Sequence, residues 1–153
     1  MIPYLNLRKI NQPYDDIILA KTKEILNNGW YILGKEVENF ETVFATYCGT
    51  KYAIGVGNGL DALSLIFRGY IELGKLKKGD QILVPANTYI ASILAILEAG
   101  LKPKFIDTNL KNYNLDLDAV KNAISNEVKG ILAVHLYGQI TDGNRIRKFA
   151  NEQ

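Results

Sequence analysis

Apolar positions recur along the chain with two rhythms, and the change falls near residue 52. Before it the spacing is helical. Tyr14, Ile17, Ile18, Thr22, Ile25 and Leu26 mark one face of an amphipathic helix, which Asn27, Asn28 and Gly29 bring to a stop. Val37, Phe40, Phe44 and Tyr47 predict the inward face of a second helix ending near Cys48 and Gly49. Between them lies a glycine-bracketed apolar loop, Gly29-Trp30-Tyr31-Ile32-Leu33-Gly34. Residues 1–13 contain Pro3 and Pro13, which oppose helix, and read as an extended arm.

From Tyr52 onward short apolar runs alternate with helical patterns. The runs at 52–56, 81–84, 104–107 and 130–135 predict buried strands; the stretches at 60–72, 90–97 and 115–124 predict helices, and Asp142 stands where a cap would start a last one. The helix over 90–97 is apolar nearly all round and is expected to be buried, with Thr88 as a candidate cap. Continuous apolar strands alternating with helices predict an α/β fold, a mostly parallel sheet with helices on both faces. Ligands of such sheets sit at the carboxyl ends of the strands. That places the 57–61 turn, the 87–89 loop and the 135–139 loop on one edge. No repeat or linker interrupts the pattern. The alternation stops after a helix, where another strand is due, so the sheet is expected to be incomplete, with 1–50 as an N-terminal arm and helices and 51–153 as the α/β part.

The candidate chemistry concentrates in Gly55-Val56-Gly57-Asn58-Gly59-Leu60-Asp61-Ala62-Leu63, a strand, a tight glycine turn and a helix start. Unpaired amides and the helix dipole make such a start attractive to a phosphate. A turn needing glycine only for its backbone geometry fits the same residues. Two familiar phosphate loops fail here. The dinucleotide fingerprint, counted from Gly57 and Gly59, reaches Ala62 but lacks the acidic residue at the end of the following strand, where Pro85 and Ala86 stand. The triphosphate loop needs Gly-Lys followed by Ser or Thr, and none follows.

Composition narrows the classes. With 48% hydrophobic and 22% charged residues, a net charge of +2 and scattered lysines, the 153-residue chain is ordinary for a globular domain and has no basic stripe for nucleic acid. One Cys and one His rule out a disulfide framework and leave too few ligands for a zinc site. No apolar run reaches the ~20 residues that span a membrane. Met1 to Leu7 has no basic segment leading into an apolar one, so no signal peptide is expected and the expected location is cytoplasmic.

Five stretches together resemble a known family: Gly29 to Gly34 with Val37, Phe40 and Glu41; Gly57 to Leu63; Gly79-Asp80-Gln81-Ile82-Leu83-Val84-Pro85; Gly100 with Phe105-Ile106-Asp107; and Val134-His135-Leu136-Tyr137-Gly138-Gln139. In order and spacing, over essentially the whole chain, they resemble the DegT-type sugar-nucleotide aminotransferases, within the fold-type I pyridoxal-phosphate enzymes. The resemblance implies the N-terminal portion of the large domain of that fold, pyridoxal 5'-phosphate as cofactor, and transfer of an amino group from glutamate to a nucleotide-linked keto sugar, a dTDP-3-keto-6-deoxyhexose in the members with the most similar wording. It implies a homodimer. By resemblance, the amides of Gly59, Leu60 and Asp61 hold the cofactor phosphate, Tyr89 stacks on the pyridine ring, and Tyr31 borders the sugar-nucleotide site. Tyr31 as a gap-filling aromatic or a subunit contact reads equally well, and Tyr89 also reads as a loop tyrosine packed on its neighbours. Asp61 reads equally as a cap or dipole partner, and His135 as a hydrogen-bonded structural residue. Asp142 matches a family aspartate, but Thr141 and Gly143 depart from its neighbours.

The resemblance places the Schiff-base lysine, and the carboxylate that pairs with the pyridine nitrogen, beyond residue 153. No catalytic residue and no metal ligand is therefore expected here, and the chain alone is expected to be inactive. A non-catalytic half or dimer partner is the alternative reading from another class.

Overall fold

The computed structural model describes residues 3–153, and these divide into two compact units, one up to Gly55 and one from Val56 to Gln153.

The first unit is helical. Residues 1–2 of the expected arm lie outside the described residues. The rest of that arm is not extended: α1 spans Leu7–Asn11, and a 3-10 turn follows at Gln12–Tyr14. Asn6 caps α1 by accepting the Lys9 N–H at 3.0 Å. Pro13 sits in the first positions of the 3-10 turn, where its missing N–H has no partner to lose. Helix α2 (Asp15–Asn28) and helix α3 (Lys35–Cys48) each end on a left-handed glycine, Gly29 and Gly49, both at φ 66°. The expected inward face of α3 is largely outward. Phe40, Phe44 and Tyr47 are exposed and stack on one another at 5.4 and 6.4 Å between ring centroids, while Ala45 is the buried residue of this helix. Helical spacing identifies a stripe; it does not supply the surface that covers it.

The second unit holds α4 (Gly59–Glu72), β1 (Gln81–Pro85), α5 (Ile90–Glu98), β2 (Lys102–Ile106), α6 (Leu117–Ala123), β3 (Val128–Ile131) and α7 (Gly143–Asn151). The three strands form one parallel sheet in the order β2-β1-β3. Lys102 lies opposite Gln81 and Ile106 opposite Pro85, while the β3 register shifts between Gln81 and Ile82. Strand β1, paired on both sides, is the centre. Its side chains alternate faces with the pleat. Ile82 and Val84 pack with Phe67 of α4 and Ala95 and Ile96 of α5. Leu83 faces the other layer with Val120 of α6, and Ile146 and Phe149 of α7 pack against it. The expectation of helices on both faces of a parallel sheet therefore holds.

Three local expectations fail. The apolar run 52–56 forms no strand and is exposed at Tyr52, Ile54 and Val56, because no described strand offers it a ladder. Helix α5 buries Ser92, Ala95 and Ile96 but leaves Ile90 and Leu97 exposed: only one side of it meets the sheet. Strand β3 begins earlier and ends earlier than expected, and beyond Ile131 only the Leu132 N–H continues the pairing, to the Leu83 carbonyl at 2.8 Å.

Candidate active-site edge

Helix α4 packs against α5, where the Ser64 hydroxyl donates to the Oε2 of Glu98, the last residue of α5, at 2.9 Å. Asn58 is the N-cap of α4. The Asn58 Oδ1 accepts the Asp61 N–H at 3.0 Å, its carbonyl accepts the Ala62 N–H at 3.2 Å, and its Nδ2 donates to the Asp61 Oδ2 at 3.0 Å. This is a reciprocal cap of the Asn-x-x-Asp kind. It engages the Asp61 amide, which the resemblance had offered as a phosphate donor. The Gly59 and Leu60 N–H groups have no acceptor among the described residues. A Cβ on Gly57 would come within 2.9 Å of the Asp61 Oδ2, so glycine there leaves room for the Asp61 carboxylate in its cap. Two oriented amides at a helix start can hold an anion; the Asp61 carboxylate faces its own cap instead.

Tyr89 is the N-cap of α5, in an extended conformation at φ −67° and ψ 143°, and its ring is 75% exposed. Thr88 does not cap through an amide. Its hydroxyl pairs with the Ser92 hydroxyl at 2.9 Å, and the Ser92 N–H reaches the Tyr89 carbonyl at 3.0 Å. The loop is pinned to β2 where the Ala86 N–H meets the Ile106 carbonyl at 2.9 Å.

The loop after β3 is held internally. The Thr141 N–H donates to His135 Nδ1 at 3.1 Å and the Thr141 hydroxyl to the Val134 carbonyl at 2.9 Å. His135 is thus tied up as an acceptor, in line with a structural role. Asp142 caps α7 through the Arg145 N–H at 3.1 Å. Asp116 caps α6 through the Asp118 and Ala119 amides at 2.8 and 3.1 Å, and those hydrogen bonds, Ala119 first, hold its carboxyl below the usual carboxylate range.

Tyr31 belongs to the first unit and is exposed. Its loop closes on itself through Trp30 Nε1 to the Ile32 carbonyl at 2.8 Å, with Leu33 left-handed at φ 49°. Nearby, Lys21 bridges Glu24 and Glu36 at 3.0 and 3.1 Å, and these hydrogen bonds raise its pKa above the ordinary lysine value.

Sequence reasoning missed Asn58 and Asn87. The first was signalled by a capping residue three positions before an acid. The second, which reaches the Tyr113 carbonyl 26 residues away, had no local signal. Among the described residues no group of acidic, histidine and cysteine side chains could hold a metal ion, and no helix is long and apolar enough to cross a membrane.

The three-stranded parallel sheet with helices on both faces is the N-terminal part of a fold-type I pyridoxal-phosphate transferase, the fold of the solved structures it matches. The chain belongs to the DegT/DnrJ/EryC1/StrS aminotransferase family, whose description matches residues 14–153. It is 48% identical over 152 residues to the dTDP-3-amino-3,6-dideoxy-alpha-D-galactopyranose transaminase of Aneurinibacillus thermoaerophilus, covering 99% of this chain and 41% of that protein. It resembles the crystal structure of S. venezuelae DesV at a TM-score of 0.90 and 38% identity, over 99% of this chain and 40% of that one. The structure of NtdA from Bacillus subtilis, with the cofactor PMP bound, matches at a TM-score of 0.86 and 35% identity, over 99% and 34% of the two chains. The chain thus spans about two fifths of the length of the curated relatives it matches.

Proposed function

We propose that this chain is the N-terminal part of a pyridoxal-phosphate-dependent aminotransferase that moves an amino group from glutamate to a keto sugar carried on a nucleotide. The observation that carries the cofactor is the pair of amides at Gly59 and Leu60, which have no acceptor among the described residues. They fit a phosphate at the start of α4, where Gly59 has open space beside its Cα. Tyr89, exposed at the carboxyl end of β1, fits an aromatic ring partner, where offset stacking is worth about 0.5–1.5 kcal/mol. Bound there, pyridoxal phosphate would supply an electron sink for the carbon bearing the amino group. The residues of this chain would bind and orient it: Gly59 and Leu60 by their N–H groups, Asp61 and Asn58 by fixing the turn, Tyr89 by its ring face.

The relative at 48% identity is named for a dTDP-linked 3-amino-3,6-dideoxyhexose, which supports a dTDP-3-keto-6-deoxyhexose as substrate. Tyr31, in its self-closed loop, is proposed to border that substrate, and the working assembly is proposed to be a cytoplasmic homodimer. The α/β part from residue 51 is the proposed cofactor-binding portion, and residues 1–50 the arm and helices that accompany it. None of the lysines here lies in a stretch matching the family's Schiff-base lysine, so the 153-residue chain alone should not turn over. The test is to add pyridoxal phosphate, reduce with borohydride, digest, and map the modified lysines by mass spectrometry. Scattered, substoichiometric labelling is expected, with saturable binding of pyridoxamine phosphate, which forms no imine with lysine. One lysine labelled stoichiometrically, with turnover of glutamate and the keto sugar nucleotide, would show a complete site in this chain and overturn the proposed division of parts. Absence of saturable pyridoxamine phosphate binding would overturn the cofactor assignment.

A further inference from the structure

The loop that carries Tyr89 makes one side-chain tie to a neighbouring loop. Asn87 Nδ2 donates to the Tyr113 carbonyl at 3.0 Å, joining the carboxyl end of β1 to the loop after β2. That second loop is closed on itself. The Tyr113 N–H meets the Asn109 carbonyl at 2.7 Å, the Asn109 N–H meets the Asn114 carbonyl at 2.9 Å, and Asn109 and Asn112 accept the Lys111 and Asn114 amides. Tyr113 is left-handed at φ 58°, a conformation that a non-glycine residue keeps only when its surroundings hold it. Asn87 therefore fastens the Tyr89 loop to a turn that is itself closed and conformationally defined. Asn87 is exposed and contributes nothing to the core, so burial does not explain the tie.

We infer that Asn87 is the positioning residue for the Tyr89 ring: its amide, anchored on the left-handed Tyr113, fixes the loop so that the ring stands where an aromatic cofactor ring lands. This rests on the proposed stacking role of Tyr89 and deepens it. One residue, Thr88, separates Asn87 from Tyr89; the loop is also held by the Ala86 N–H to the Ile106 carbonyl, the Thr88 N–H to the Pro85 carbonyl, and the Thr88 and Ser92 hydroxyls, none of which ties it to the loop after β2. Without the Asn87 bond the ring keeps its chemistry and loses its place. A stacked contact is sensitive to a displacement of that kind, because its strength depends on ring offset and separation.

The test is a double-mutant cycle on this chain, read as binding of pyridoxamine phosphate and, separately, of inorganic phosphate. Asn87→Leu should weaken pyridoxamine phosphate binding by about threefold to tenfold, the range that a lost stacking contact allows, and leave inorganic phosphate binding unchanged. Tyr89→Ala should do the same, and the double variant should be no weaker than Tyr89→Ala alone. In the ligand-free chain, Asn87→Leu should also speed amide hydrogen exchange at Tyr113 while the far-ultraviolet circular dichroism stays the same. Additive losses in the double variant, or equal losses for inorganic phosphate, would make Asn87 a general structural residue and overturn its positioning role alone. If Tyr89→Ala binds pyridoxamine phosphate as tightly as the parent, stacking itself is wrong and the positioning role falls with it.

Discussion

Two apolar pentads in this chain have similar composition and opposite fates. Residues 52–56 and 81–84 both read as buried strands, and the second is found as Gln81–Pro85. The second is the most buried element of the molecule, with Leu83 and Val84 at 0% exposure. The first forms no ladder, and its Ile54 is 80% exposed. The difference is in the neighbours. Gln81–Pro85 has a strand on each edge and a helical layer on each face. The other run has neither among the described residues. An apolar run records a demand for burial; whether it is met depends on what else folds beside it.

The sharpest way to test that contrast is truncation at its two extremes. Leu83→Ala should cost about 2–5 kcal/mol, as for other fully buried leucines, and Ile54→Ala less than about 0.5 kcal/mol. Urea titrations of the isolated chain would show it. Similar losses at both sites would mean that residues 52–56 are buried in solution, by association of copies or by a rearrangement.

The turn after the exposed pentad is the next point. If its two free amides hold the phosphate, Leu60→Pro, which removes one donor, should weaken pyridoxamine phosphate binding by about tenfold or more, since a hydrogen bond to a charged group is worth about 1.5–3 kcal/mol. Leu60→Thr keeps the amide and should change it little. Equal affinity in both variants would move the phosphate elsewhere.

The edge of the buried pentad offers a smaller effect. Tyr89→Phe should bind pyridoxamine phosphate much as the parent does, while Tyr89→Ala should lose up to about tenfold, the full worth of a stacked ring. A Phe variant as weak as the Ala variant would assign the role to the hydroxyl.

The smallest effect belongs to Asp116, whose carboxyl is held below its ordinary value of 3.8 by the amides of α6. Its native state therefore binds fewer protons than the unfolded chain, and the resulting stability is present above the ordinary value and lost as pH falls through the lowered one. Asp116→Asn keeps an accepting oxygen, so it should change stability by only a few tenths of a kcal/mol at neutral pH. It should also flatten the acid side of the stability curve. An unchanged acid-side slope would show that this carboxyl does not titrate differently in the folded state.

Much of the fold was legible because it is written in short-range patterns. The alternation of apolar strands and helices gave the parallel sheet and its two covered faces, since side-chain period is a local property. Gly29 and Gly49 marked the ends of two helices for the same reason. The cap residue Asp142 stood where its type predicts. The family resemblance was also a matter of local wording in a fixed order, and the match over residues 14–153 agrees with it.

What the tertiary structure decided depends on partners far apart in the chain. The stripe Phe40, Phe44, Tyr47 and the run 52–56 carry the pattern of buried elements but are exposed, because burial needs a second surface and periodicity cannot name one. At the helix start, sequence marked several amides as donors; in the folded chain the Asp61 amide meets its own cap, while those of Gly59 and Leu60 have no acceptor among the described residues. The bond from Asn87 to Tyr113 joins loops 26 residues apart, which no local pattern announces. The amino-acid sequence by itself determined the alternation of helix and strand from α4 to α7 and the family it belongs to, because both are set by neighbouring residues. Which amides find an acceptor, and which loops are tied together, followed only from the folded contacts, because a hydrogen bond is allotted between groups that the chain brings together.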